Sequence, residues 1–151
     1  MGITVTSVST ATAELAAALN GLLPQLVAQA PRLEMSALTR IIAQPGVALL
    51  VAHDDAEPVE AALATALVSV VEDLTGRHAR LEDVVVDERA RGRGIGAALT
   101  AEAIRVASDR GAASLNLTSA PRREAANRLY QRMGFSQYET NVYHLNLERA
   151  Q

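Results

Sequence analysis

The residue types best suited to chemistry are concentrated between positions 81 and 110. A valine-rich run, Leu81 to Val86, gives way to Arg91-Gly92-Arg93-Gly94-Ile95-Gly96, and a helical stretch follows at once. Glycines at 92, 94 and 96 let a backbone turn tightly and come close to a ligand. The amides of such a loop, together with those of a helical first turn, converge on one spot and favour negative charge, so they suit phosphate oxygens. Arg91 and Arg93 add cationic charge, and pyrophosphate is the natural guest. Residues 92–97 also satisfy the dinucleotide pattern G-x-G-x-x-G/A, but the next strand, Ser114 to Thr118, ends without the acid that would grip a ribose. No Gly-Lys-Ser/Thr follows the loop, which excludes a Walker site.

Other chemistries lack their residues. With no cysteine in the chain, there is no disulfide, thiolate metal site or cysteine nucleophile. His53, His78 and His144 have no metal-ligand spacing and read as surface or edge residues, so no metal is expected. There is no Gly-x-Ser-x-Gly elbow.

Elements must position that loop, and the pattern predicts them. Thr4 to Val8 alternates as a strand. Ala11 to Ala30 carries Leu15, Leu19, Leu22, Leu23 and Leu26 at helical spacing and is broken by Pro31; a second helix covers Leu33 to Ala43. Val47 to Ala52, Ala61 to Val71 and Leu81 to Val86 read as strands, the last two joined by a turn at Leu74-Thr75-Gly76. A helix runs to Arg110 with Gly111 as its stop, Ser114 to Thr118 is a strand, and a helix from Arg123 to Met133 is capped by Gly134. Asn141 to Leu147 closes the order as a strand, with a short extra one around Phe135 to Tyr138. The sum is an α/β (α+β) layer protein with a mixed sheet. At 151 residues, without repeats or linkers, a single domain over 1–151 is the expectation.

The run V-V-V-D-E-R-A-R-G-R-G-I-G, from Val84 to Gly96, resembles the coenzyme-A-binding motif of the GNAT superfamily of N-acetyltransferases. Downstream, Ala126-Asn127-Arg128-Leu129-Tyr130 and Gly134-Phe135 resemble that family's A-x-x-L-Y-x-x-x-G-F element. The resemblance implies a mainly antiparallel central sheet of six to seven strands, with about four helices on both faces. It also implies acetyl-CoA as cosubstrate. Its pantetheine arm would pair with the backbone of Val84, Val85 and Val86, and the amide of Val85 would polarise the thioester carbonyl. The pyrophosphate would sit on Gly92, Arg93, Gly94, Ile95, Gly96 and Ala97, with Arg91 opening the loop.

Tyr130 matches the family's general acid, the proton donor to departing coenzyme A; the plainer alternative is packing beneath its helix. Arg123 stands where many members carry an asparagine, and either reaches a phosphate or faces solvent. An alkyl ammonium must lose a proton before it attacks. Glu82 is the favoured base, its neighbour Asp83 being expected on the opposite strand face, with water as a third option.

The acceptor is expected between the N-terminal helical pair and the strands near Glu82 and Tyr143. That helical segment, roughly Leu15 to Ala43, carries few acids, Glu14 at its start and Glu34 within it, and is rich in leucine and proline, so a small or partly apolar primary amine, or a peptide, fits better than a polycation. A non-catalytic acetyl-CoA sensor on the same fold is the alternative. A net charge of -3 argues against a nucleic-acid partner. No apolar run is long enough to span a membrane, and residues 1–10 lack a basic leader. The expectation is a cytoplasmic protein, with a homodimer as its assembly.

Overall fold

The computed structural model describes residues 2–148. Strand β1 (Ile3–Ser7) is followed by helices α1 (Ala13–Leu26) and α2 (Met35–Ala43), strands β2 (Val47–Asp54), β3 (Ala64–Asp73) and β4 (Gly76–Val86), helix α3 (Ile95–Asp109), the two-residue strand β5 (Leu115–Asn116) and helix α4 (Glu124–Arg132). The strands form one five-stranded sheet in chain order, antiparallel except for the parallel β4/β5 pair.

Alternation along the strands separates two cores. Ala48, Leu50 and Ala52 of β2, Ala64, Ala66 and Val68 of β3, and Ala79 and Leu81 of β4 face α3, which covers them with Ile95, Leu99, Ala103, Val106 and Ala107. Leu49 and Val51 of β2 and Val85 of β4 face the other way, against Leu15, Leu19 and Leu22 of α1 and Leu38 of α2. The alanines under α3 let the helix lie close to the sheet, which fixes where its N-terminus points.

α1 begins at an N-cap, Thr12, whose hydroxyl accepts from the Leu15 amide (3.1 Å). It ends at Leu26, short of the expected Ala30, because Val27 is already extended. Pro24 lies inside its last turn, where its missing N–H leaves the Asn20 carbonyl without that helical partner. The Asn20 side chain then ties the helix to the following loop: its Oδ1 accepts from the Leu33 amide (2.8 Å) and its Nδ2 donates to the Leu33 carbonyl (3.0 Å).

Two expected strands are absent among the described residues. Neither Asn141 to Leu147 nor Phe135 to Tyr138 pairs with the sheet, so it has five strands rather than six to seven. Residues 136–148 are exposed throughout, and Tyr138, Val142, Tyr143, Leu145 and Leu147 lie open. An alternating pattern makes a strand only where a neighbour supplies hydrogen bonds, and the short β5 is not joined by this segment.

Candidate active site

β4 and β5 meet only where Ala79 pairs with Leu115 and Arg80 with Asn116; beyond that the two parallel strands part. Opposite β3, the same stretch of β4 carries an irregularity. Leu67 pairs with Glu82 and Thr65 with Val85, so β4 spends one residue more than β3 over that interval. The extra residue is a β-bulge. Asp83 within it has φ +56°, the single non-glycine left-handed residue among those described. Aspartate tolerates that region because its short polar side chain bonds locally.

The bulge changes what β4 presents. Leu81 and Val84, three apart, pack toward the same α3 core, while Val85 turns to the α1 side. The backbone follows. The Asp87 amide donates to the Leu63 carbonyl (2.8 Å), Ala64 pairs with Val86 and Thr65 with Val85. Bonded and non-bonded pairs alternate in an antiparallel ladder, so the main-chain groups of Val85 face β3. The amide of Val85, expected to meet a carbonyl ligand, is therefore taken; Val84 and Val86 turn theirs toward the open edge.

The parting strands enclose a cleft of about 250 Å³, lined by Leu26 and Val27, by Arg80 to Val84, by Leu117 to Ser119, and by Arg123 and Tyr130. That is room for a slender chain, and less than a drug-sized ligand requires. Glu82 and Asp83 both line it, which corrects the expectation that only one could: alternation fails at a bulge. Glu82 is paired with Arg80 (Nε to Oε1, 2.9 Å). Asp83 has its pKa raised, first by burial and then by the Glu82 charge.

Tyr130 comes from α4. Its ring is 9% exposed and packs edge-on against Phe135, with ring centroids 5.7 Å apart. It therefore packs beneath the helix and lines the cleft at once. Burial raises its phenol pKa, opposed by the Arg123 charge, so the group keeps its proton at neutral pH. Arg123, the N-cap residue of α4, lies on the cleft wall with Tyr130. Asn127 is spent on structure, its Nδ2 donating to the Ala120 carbonyl (3.0 Å).

The glycine loop stands at the end of β4. Gly92 (φ +82°) and Gly94 (φ +76°) are left-handed and open around the Cβ they lack. Gly96 differs: a Cβ there would meet Leu129 Cδ2 of α4 at 3.2 Å, a tight contact where α3 and α4 pack together. Gly94 caps α3 with no side-chain bond, and the amides of residues 94–97 donate to no protein acceptor among the described residues. These are the orphan donors of a helix start, a cradle that fits a pyrophosphate. Arg91 lies along the outgoing strand, Nε toward the Val86 carbonyl (3.4 Å). Arg93 is paired with Asp54 at the end of β2.

Some positions fall elsewhere. Tyr143 is exposed and does not line the cleft. His53 is neither a surface nor an edge residue; it is buried in β2, with its ring nitrogens bonded to Thr6 Oγ1 (2.8 Å) and the Asp54 carbonyl (3.0 Å). His78 is half-buried, held by Thr75 and Ser114. The sequence reading missed Arg80, Thr118, Ser119 and the sharing of the cleft by Asp83. The first three carry no motif, and the fourth follows from a bulge that spacing does not announce.

A family model described as the acetyltransferase (GNAT) family matches residues 15–135. The chain belongs to that family, and its fold is the mixed α/β GNAT fold with four α-helices and a five-stranded sheet among the described residues. Among solved structures, a putative acetyltransferase from Agrobacterium tumefaciens str. C58 is 25% identical, with TM-score 0.81 over 95% of this chain and 99% of that one. A transcriptional regulator from Bacillus halodurans C-125 is also 25% identical, with TM-score 0.80 over 95% of this chain and 100% of that one. The aminoglycoside N-acetyltransferase AAC(6')-Iy, solved with CoA, is 19% identical, with TM-score 0.76 over 97% of this chain and 95% of that one, and shares the fold. No curated protein matches the chain. No helix among the described residues is long and apolar enough to cross a membrane.

Proposed function

We propose that this chain is a one-domain N-acetyltransferase that moves the acetyl group of acetyl-CoA to a primary amine of a small molecule, or of a peptide, by direct attack in a ternary complex. The observation that carries this reading is the cleft between β4 and β5, with a bulge and Tyr130 in its walls and a bare glycine loop beyond the end of β4. Acetyl-CoA supplies a thioester whose acyl carbon the amine attacks as the carbon–sulfur bond breaks. The loop from Arg91 to Ala97 holds the pyrophosphate through its amides and Arg93. The outward main-chain groups of Val84 and the Val86 amide hold the arm, and Val85 keeps that edge in place from the β3 side. The Val84 amide donates to the carbonyl oxygen as negative charge develops there. Tyr130 gives its proton to the departing sulfur, which its raised pKa keeps available. Glu82, with Asp83 beside it, draws the ammonium group and takes its proton. Arg123 supplies positive charge beside the departing thiolate. Leu26 and Val27 give the acceptor side an apolar lip, which suits an amine with a hydrocarbon body.

The same reading puts the protein in the cytoplasm as a homodimer. A second copy is the natural cover for the alternating Tyr143, Leu145 and Leu147, all exposed here; light scattering on the purified chain tests the dimer.

The first experiment is a melting curve with and without acetyl-CoA. Ligand at 100 times its dissociation constant is expected to stabilise the fold by about 2.7 kcal/mol, and a panel of small amines should then release free thiol. An unmoved melting curve at saturating acetyl-CoA would refute the reading. A shift without turnover on any amine would favour a sensor, the second reading.

A further inference from the structure

Arg80 stands in the cleft wall, and the reaction proposed above gives it no part. It precedes Glu82 by two residues on β4, where the register with β3 is still regular: Ser69 pairs with Arg80, Val68 with Leu81 and Leu67 with Glu82. Ala79 and Leu81 are buried toward α3. Successive side chains of a strand alternate between its faces, so Arg80 and Glu82 share the opposite face. That is the face on which Val85 meets α1. The end of α1 stands beside them, with Leu26 and Val27 in the same wall.

Both side chains are about half exposed, and Arg80 Nε donates to Glu82 Oε1 (2.9 Å). The Nη nitrogens of Arg80 donate to no protein acceptor among the described residues. A pair this exposed contributes little to stability. For the reaction it is a hindrance. Arg80 occupies the carboxylate that is to draw the acceptor's ammonium group, and repels that group as a like charge. The cleft as a whole has the same balance. Its charged residues are Arg80 and Arg123 against Glu82 and Asp83, so no excess of negative charge draws a bare cation. An ion pair set in a wall is matched by a ligand that carries the same two charges in reverse order.

Resting on the acetyltransferase reading above, we propose that the acceptor is an α-amino acid with an apolar side chain, and that Arg80 selects it. The guanidinium takes the carboxylate of the amino acid in its free fork. Glu82 takes the ammonium group, and Leu26 and Val27 take the hydrocarbon side chain. Spacing sets this class: Arg80 and Glu82 touch, so the two charges of the ligand must sit on neighbouring carbons. The incoming carboxylate also draws Arg80 off Glu82, which leaves Glu82 free to accept the proton. An amine without an anionic group leaves the pair closed.

The test measures thiol release from acetyl-CoA with leucine, methionine and phenylalanine as acceptors, each beside its amide, in which a neutral group of similar size replaces the carboxylate. Wild type is expected to show a kcat/KM at least about tenfold higher on the amino acids than on their amides. Arg80→Gln is expected to lower kcat/KM on the amino acids about tenfold or more, and to raise it on the amides, because Glu82 has lost its competing partner. Arg80→Lys keeps the charge without the fork and should fall between the two on the amino acids. All three proteins should melt alike, and each should still shift with acetyl-CoA. Wild type that favours the amides, or that turns over neither panel while acetyl-CoA still shifts its melting, would overturn the proposal and leave the cofactor reading intact. Arg80→Gln that lowers both panels alike, or changes neither, would also overturn it, because the residue then does no more than shape the wall. A wild-type melting curve unmoved by saturating acetyl-CoA would remove the acetyltransferase reading itself, and this inference with it.

Discussion

From Gly76 to Leu81, β4 keeps strict antiparallel register with β3 and is joined by β5 at Ala79 and Arg80; from Glu82 to Val86 it carries an extra residue against β3 and has no strand on its other side. In the first half Ala79 and Leu81 are buried, and the Ala79 amide is spent on the Ser114 carbonyl. In the second half, main-chain groups face an open cleft and two carboxylates stand side by side in its lining. One strand thus does two kinds of work, and the change occurs where pairing stops. A ladder satisfies the backbone and leaves nothing for a ligand, whereas an interrupted ladder leaves donors that a ligand can satisfy.

The largest effect is expected from Tyr130→Phe. Removing the phenolic proton should lower kcat by at least about a hundredfold. The melting temperature should hardly move, because the ring still packs on Phe135. Activity within a few-fold of wild type in steady-state kinetics would leave Tyr130 as a packing residue and break the functional side of the comparison. Away from the cleft, Leu50→Ala in β2 should do the reverse. It leaves a cavity beneath α3 and is expected to cost about 2–5 kcal/mol in denaturant unfolding, with kcat per folded molecule close to wild type.

A third substitution separates the two carboxylates. Glu82→Gln is expected to lower kcat/KM about tenfold or more near neutral pH, and to narrow the gap as the assay pH rises and the free amine becomes abundant. A flat ratio across pH would mean that Glu82 shapes the cleft without taking a proton.

Much of this was legible in the residues because the governing physics is local. The valine run, the glycine loop and the stripe of α3 lie within about thirty residues and each obeys a short-range rule, so the cradle at Gly92 to Ala97 could be read directly. The alternation rule failed at Asp83. A bulge is settled by how β4 fits β3 across the sheet, and the sequence D-V-V-V reads the same with or without it. That one residue turned the Val85 amide away and brought Asp83 into the cleft. The C-terminal strand failed for a related reason: Asn141 to Leu147 has the right pattern, but a strand also needs a neighbour, and the pattern does not say which chain supplies it. Ser119 carries no motif, and its place in the cleft wall appears only in the structure.

The smallest effects concern the charge at the cleft end of β4 and at the β3–β4 hairpin, and they should have opposite signs. At the cleft end, burial and then the Glu82 charge raise the pKa of Asp83. Its stabilising protonation is complete below the unfolded-state pKa and is lost as pH rises through the folded value, so at neutral pH the carboxylate is a cost. Asp83→Asn, which still tolerates the left-handed backbone, is expected to melt slightly higher than wild type at neutral pH, with the gain fading as pH falls into the carboxylate range. At the hairpin end, the Thr75 amide (2.8 Å) and then its hydroxyl (2.9 Å) donate to Asp73 Oδ1 and lower that pKa. Here stability is present above the unfolded-state pKa and is lost as pH falls through the folded one. Asp73→Asn is expected to melt slightly lower at neutral pH and to converge with wild type in acid. Melting curves of both variants at neutral and acid pH decide the matter. Shifts of the same sign would mean that the cleft end is no more strained by its charge than the hairpin, and that the bulge is only a local irregularity of the sheet.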